Sequence, residues 1–245
     1  MKEHIWHGKR CVISEFESAD ALAIAVAERW LEFVAGANRL LSVGLSGGRI
    51  TERLFAQIAS KALGAASVVE KLRFFWADER CVPLDDSASN YRLARELLFD
   101  PLGVLEQQTF PFGGDGSPST LAEGGLRMLR EQFDVADQQV PVFDLVLLGM
   151  GEDGHVASLF PGNFSVDQQR LEACYDVIVS KPPPNRITLS YGVLAAAREV
   201  WLVISGQGKA APLSQAIQST GGTPVAHLLS LRSSTKIFTD IALRG

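Results

Sequence analysis

Between Gly149 and Gly162 the chain reads GMGEDGHVASLFPG, and its first seven residues hold three glycines, two carboxylates and a histidine. An unperturbed imidazole titrates near pH 6.5. One histidine can therefore take a proton from water and later return it to a leaving group. His155 is the candidate for that work, and Asp153, two residues earlier, can orient the ring or stabilise the imidazolium. Gly149, Gly151 and Gly154 are read as positions of positive φ that let a ligand come close to the backbone. Other groups of suitable chemistry lie elsewhere in the chain. Ser46, Gly47 and Gly48 form a glycine turn that can cradle phosphate, and Arg80, beside Asp78 and Glu79, can fork onto an anion. Lys209 follows Gly208 at an expected helix start, where an ammonium adds to the positive end of the dipole. Asn90, next to Ser89, opens a helix and can serve as its cap.

Two short patterns compete with this reading. Gly149, Gly151 and Gly154 also spell the dinucleotide fingerprint, but a pyrophosphate there would face Glu152 and Asp153. No helix-compatible run follows directly, and Pro161 interrupts the segment. Gly44 to Gly48 matches the nucleophile elbow of serine hydrolases, with Ser46 attacking an ester and His155 or His227 downstream. A glycine turn that merely lets a strand and a helix pack is the plain alternative.

The elements needed to position these groups are legible from periodicity. Short apolar runs predict strands over 40–45, 72–77, 109–112, 142–148, 175–179, 200–205 and 236–243. Helical spacing from Ser18 to Val34, ended by Gly36, and over 51–59, 90–98, 118–133 and 209–218 fills the intervals between them. Pro182 to Pro184 must stop the strand before them, and Arg186 to Ser190 follow. Strands separated by helices imply an α/β fold with a doubly wound, largely parallel sheet and helices on both faces, in one domain over 1–245. In such sheets ligands collect at the carboxyl edge. Ser46, Asp78, Arg80, Asp153, His155 and Lys209 all follow expected strands, so one fold brings them together.

Composition bounds the partners. A chain of 245 residues with 47% hydrophobic content can bury a large core, and a net charge of -5 without a basic cluster argues against nucleic acid. No apolar run reaches membrane length and residues 1–10 lack the apolar core of a signal peptide, so a cytoplasmic protein, taken as a monomer, is expected. Cys11, Cys81 and Cys174 are far apart without metal spacing and are read as reduced thiols.

Taken in order, GLSGG at Gly44, WADERCV at Trp76, Ser89-Asn90, the Gly149–Gly162 run, RITL at Arg186 and GKA at Gly208 resemble 6-phosphogluconolactonases. The WADERCV segment separates these from the related glucosamine-6-phosphate deaminases. The resemblance implies a modified Rossmann-like sheet and hydrolysis of 6-phosphoglucono-δ-lactone in the pentose phosphate pathway, with no metal and no organic cofactor. It implies His155 as base and Asp153 as its support. Ser46, Gly47, Gly48, Arg80, Arg186 and Lys209 would grip the phosphate, Asp78 would lie near the sugar, and Asn90, Gly151 and Gly154 are expected among the substrate-binding residues. Oxyanion stabilisation falls either to glycine-loop N–H groups or to Arg80. One departure stands out: Arg49, Ile50 and Thr51 follow the glycine pair where the family usually has Ser or Thr and then Pro. An amino-sugar phosphate deaminase or isomerase, and a catalytically silent sugar-phosphate sensor, are the alternatives.

Overall fold

Alternating apolar runs and amphipathic stretches produce the expected strand and helix succession, with additions. The computed structural model describes residues 2–6, 9–63, 66–137, 139–218 and 222–243. Its strands are β1 (Lys2–Trp6), β2 (Lys9–Glu15), β3 (Leu41–Leu45), β4 (Leu72–Trp76), β5 (Asp78–Arg80) and β6 (Thr109–Phe110), then β7 (Leu145–Leu148), β8 (Cys174–Ile178), β9 (Asn185–Leu189), β10 (Glu199–Ile204) and β11 (Ser234–Thr239). Among the described residues the main sheet runs β1-β2-β11-β10-β7-β3-β4-β6. Every neighbouring pair is parallel except β1 with β2. All of β3 and β7 is buried, as parallel strands covered on both faces must be. The order reverses around β3: the chain moves outward to β4 and β6, then returns on the other side as β7. That reversal opens a crevice beyond the carboxyl ends of β3 and β7.

Local signals set the helices. Ser18 accepts from Ala21 N to cap the helix Ala19–Ala35, and Ser117 caps Pro118–Phe133 with proline in the first turn. The first of these packs on the helix Arg49–Ala62. Phe75 of β4 meets Phe110, Phe133 and Phe143 at centroid distances of 4.8, 5.1 and 5.4 Å. Phe75 and Phe143 are fully buried, and each such ring contributes about 1.5–3 kcal/mol, so the cluster ties β4 to the segment leading into β7.

A second sheet, β5-β9-β8, is antiparallel and was not foreseen. Asp78–Arg80, expected as the charged tip of the preceding strand, instead forms β5, in register with Thr188, Ile187 and Arg186 of β9. Ala77 joins the sheets, donating to Leu45 O at 2.7 Å and accepting from Leu189 N at 2.8 Å. Other differences are of extent. β7 starts at Leu145 because Asp144 turns its carboxylate onto Ser42 N at 2.9 Å and Val142 is exposed. The helix opened by Ser89 is α-helical only over Asn90–Ala94 before a π turn, Arg95–Phe99. The amino-terminal strands and the helix Pro224–Leu231 were also unanticipated.

Candidate active site

The loop after β7 is closed by its own backbone: Gly151 N donates to His155 O at 2.9 Å and Gly154 N to Gly151 O at 3.0 Å. Only Gly154, at φ 79°, takes the left-handed conformation, and Gly149 and Gly151 do not. Gly151 is needed for space instead, since a Cβ there would lie 2.0 Å from His155 Nδ1. The strained position is Ala157, at φ 49° on the cavity wall, a conformation that costs a non-glycine residue about 1–2 kcal/mol.

His155 packs its ring on Phe160 with centroids 4.1 Å apart, and Asp153 Oδ1 lies 2.5 Å from its Nδ1. With Nδ1–H donating to that carboxylate, Nε2 carries the lone pair. Burial pushes the His155 pKa below the usual imidazole value, against the pull of Asp153. At Asp153, burial raises the pKa, but hydrogen bonds from Lys181 and His155 outweigh it and hold the carboxyl at about 2. The pair therefore rests as neutral imidazole and carboxylate.

Beyond the β3–β7 switch point lies a cavity of about 350 Å³. Ser46, Gly47, Gly48, Asp78, Arg80, Asn90, Gly151, His155, Arg186 and Lys209 all line it. Asp153 and Gly154 stand behind the wall. Asp153 acts through His155, and Gly154 packs against Thr223, where a Cβ would come within 2.9 Å. Five cations, Arg49, Arg80, Lys181, Arg186 and Lys209, face two carboxylates, Asp78 and Glu152, so the cavity suits an anion although the whole chain is acidic.

That charge comes from separate parts of the chain. Period-two alternation along β5 sends Asp78 and Arg80 to the cavity and Glu79 behind it. Arg80 sits opposite Arg186 across the strands, a like-charge pairing that is unfavourable unless an anion or acid intervenes. Asp78 partly supplies it, 3.9 Å from Arg186 Nη1, while accepting from Ser158 Oγ at 2.7 Å. Arg186 is held further by donating from Nε to Pro183 O at 3.0 Å, and Arg80 Nη1 donates to Ala88 O at 2.5 Å. Burial, then the neighbouring Arg49, lowers the pKa of Lys209. Lys209 ends the 3-10 turn Gln207–Lys209 rather than opening the helix Ala210–Gln218 itself.

The glycine turn after β3 meets these cations. Gly48 caps the helix Arg49–Ala62 at φ 122° with no side-chain hydrogen bond; Thr51 N and Glu52 N donate to Gly48 O, and the N–H groups of Arg49 and Ile50 are those a helix start offers to an anion. A Cβ on Gly47 would land 1.9 Å from Asn90 Oδ1. Asn90 is thus no cap, a role Ser89 fills. Its Nδ2 donates to Asp78 O at 2.8 Å, while Asn90 Oδ1 and Ser46 Oγ are buried without a protein partner. Arg49 lines the same wall, in place of the expected hydroxyl.

Sequence reasoning gave no site role to Lys181, Met150 and Ile50, which also line this wall, whereas Glu152 was expected on the turn beside His155. For Lys181 a signal existed: a cation directly before three prolines is carried on a stiff turn. His227 packs edge-on against Tyr191 at 4.7 Å and is not on the wall, so the hydrolase-elbow partnership with Ser46 has no support there. Among the described residues no cluster of three or more His, Cys, Asp or Glu side chains is placed to hold a metal.

The glucosamine-6-phosphate isomerases/6-phosphogluconolactonase family model matches residues 15–237. A human protein named 6-phosphogluconolactonase is 36% identical over 220 residues, covering 87% of this chain and 84% of its own length. One of the same name from Mycobacterium leprae is 34% identical over 202 residues, covering 80% and 78%. The structure of 6-phosphogluconolactonase from Trypanosoma cruzi superposes with a TM-score of 0.81 at 27% identity, over 93% of this chain and 94% of that one. Sequence, fold and the order of the site segments agree: the chain belongs to the family of glucosamine-6-phosphate isomerases and 6-phosphogluconolactonases.

Proposed function

We propose that this chain hydrolyses 6-phospho-D-glucono-1,5-lactone to 6-phospho-D-gluconate, with His155 activating the water. What carries the reading is that the His155–Asp153 pair and a cationic wall share one cavity in a chain whose relatives are named for this reaction. Nε2 takes a proton as water oxygen bonds to C1, giving a tetrahedral oxyanion. Collapse breaks the bond from C1 to the ring oxygen, and the imidazolium returns the proton to that alkoxide. The acid product ionises. The phosphate is gripped by the open helix start at Gly48 together with Arg186, Lys209 and Arg49, which holds the ring for attack. Arg80 faces the oxyanion.

Asp78 is occupied by Ser158 and Arg186 and serves to hold the arginine rather than as a second base. The substrate is the sole partner in this reading, with no nucleic acid, membrane or second copy. The three free thiols fit a cytoplasmic setting. Among the described residues no helix is long and apolar enough to cross a membrane.

A coupled assay with freshly generated lactone, corrected for spontaneous opening, tests the activity. Product formation no faster than background would reject it, and release of ammonia from glucosamine 6-phosphate would favour the deaminase chemistry instead. The phosphate grip has its own test. Lys209→Ala and Arg186→Ala should each weaken 6-phosphogluconate binding about tenfold or more, the worth of one charge-assisted hydrogen bond. Unchanged affinity by titration calorimetry would remove these residues from the phosphate site.

A further inference from the structure

Asp153 serves two donors at once. Its Oδ1 meets His155 Nδ1 at 2.5 Å, and its Oδ2 accepts from Lys181 Nζ at 2.9 Å. Lys181 comes from a different segment, the turn between β8 and β9. Its ammonium sits 5.3 Å from the centre of the Phe160 ring, the same ring that stacks on His155. It also lines the cavity. In the sequence only its place directly before three prolines sets it apart.

We propose that Lys181 is a positioning residue that divides Asp153 between an ammonium and the imidazole, so the carboxylate fixes the ring's tautomer without drawing a second proton onto Nε2. This rests on His155 acting as the base. A carboxylate alone beside an imidazole favours the imidazolium, which cannot accept a proton from water. An ammonium on its far oxygen weakens that pull while leaving the hydrogen bond to Nδ1 in place. The other charges facing His155 do not duplicate the effect. Asp78, from β5, attracts a proton to the ring, and Arg186, from β9, lies 3.9 Å from that carboxylate. Burial is the main force lowering the imidazole pKa, and Lys181 adds to it. Its side chain is 47% exposed, so solvent screens the interaction and the effect is moderate.

The test uses the full-length chain with Lys181→Met and Lys181→Arg. The ring C–H signal of His155, assigned by its loss in His155→Gln, is titrated by NMR, and kcat/KM is measured from pH 5 to 9. In Lys181→Met the ring titration should move to higher pH. In step with it, kcat/KM at pH 6 should fall about threefold further than at pH 8, as expected for a screened charge at this range. Lys181→Arg should restore both. An unmoved ring titration overturns the proposal, and so does a loss of kcat/KM equal at all pH values, which would make Lys181 a substrate contact only. If the ring titration moves and the acid limb of kcat/KM does not follow, Lys181 has the stated role and it is His155 as base that fails.

Discussion

Replacing His155 with glutamine should lower kcat/KM for the lactone by about a hundredfold to ten-thousandfold, the range associated with a positioned general base. The imidazole is the cavity-lining group suited to act as a neutral base: the wall's other titratable groups are arginines, lysines and the carboxylates Glu152 and Asp78, the latter 3.9 Å from Arg186. Glutamine keeps a polar group near Asp153 but cannot cycle a proton between water and the ring oxygen. The fold should survive, because the ring lies on the cavity wall, bonded to Asp153 and stacked on Phe160, outside the hydrophobic core. The rate left over measures what the cationic wall does alone. The protonation state of His155 also sets the pH profile of the unaltered chain. His155 works unprotonated and burial depresses its pKa, so activity should hold through neutrality and fall only as pH drops below the ordinary imidazole range. An acid limb at or above pH 6.5, or a variant within tenfold of the parent once spontaneous hydrolysis is subtracted, would sink the assignment.

What could be seen in the sequence follows the range of the interactions involved. The caps at Ser18 and Ser117, the buried runs that became β3, β4, β7 and β10, and the glycine turns that end two of them are local signals, and all were legible. So was the gathering of His155, Lys209 and the Ser46–Gly48 turn at one edge, since a parallel sheet puts all its carboxyl ends together. The second sheet was hidden. Asp78–Arg80 is short and charged, and nothing local announces that Arg186 pairs across from Arg80. Arg186 reached the list of candidates only through the family motif. Glycine roles divide the same way. Gly154 has the backbone conformation that glycine permits, whereas Gly47 and Gly151 are set by the approach of Asn90 and His155, which only tertiary structure reveals. Lys181 depends on a through-space pairing with Asp153, and Glu79 on four donors converging from a later segment and its own neighbour.

Glu79→Ala should destabilise the fold by about 3 kcal/mol or more, because it removes a shared acceptor and leaves several buried donors unpaired. Glu79 is fully buried. Its Oε1 accepts from Arg80 N at 2.8 Å and Asn90 N at 2.7 Å, and its Oε2 from Tyr91 N at 2.7 Å and Ser89 Oγ at 3.2 Å. These bonds tie β5 to the helix start that carries Asn90, so the loss should also raise KM in whatever fraction folds. Denaturant midpoints at constant m-value give the stability difference. Its pH dependence discriminates between two pictures of the site. Burial pushes the Glu79 pKa up to about 7, against the hydrogen bonds from Asn90, Arg80 and Tyr91. A folded value above the unfolded one, near 4.3, means the carboxyl's linkage contribution is whole below that pH and is lost as pH rises through about 7. The gap between parent and variant should therefore be widest near pH 4 and narrow toward pH 8. A gap that widens with pH instead would mean the four donors, rather than burial, govern this carboxyl and hold it ionised in the folded chain.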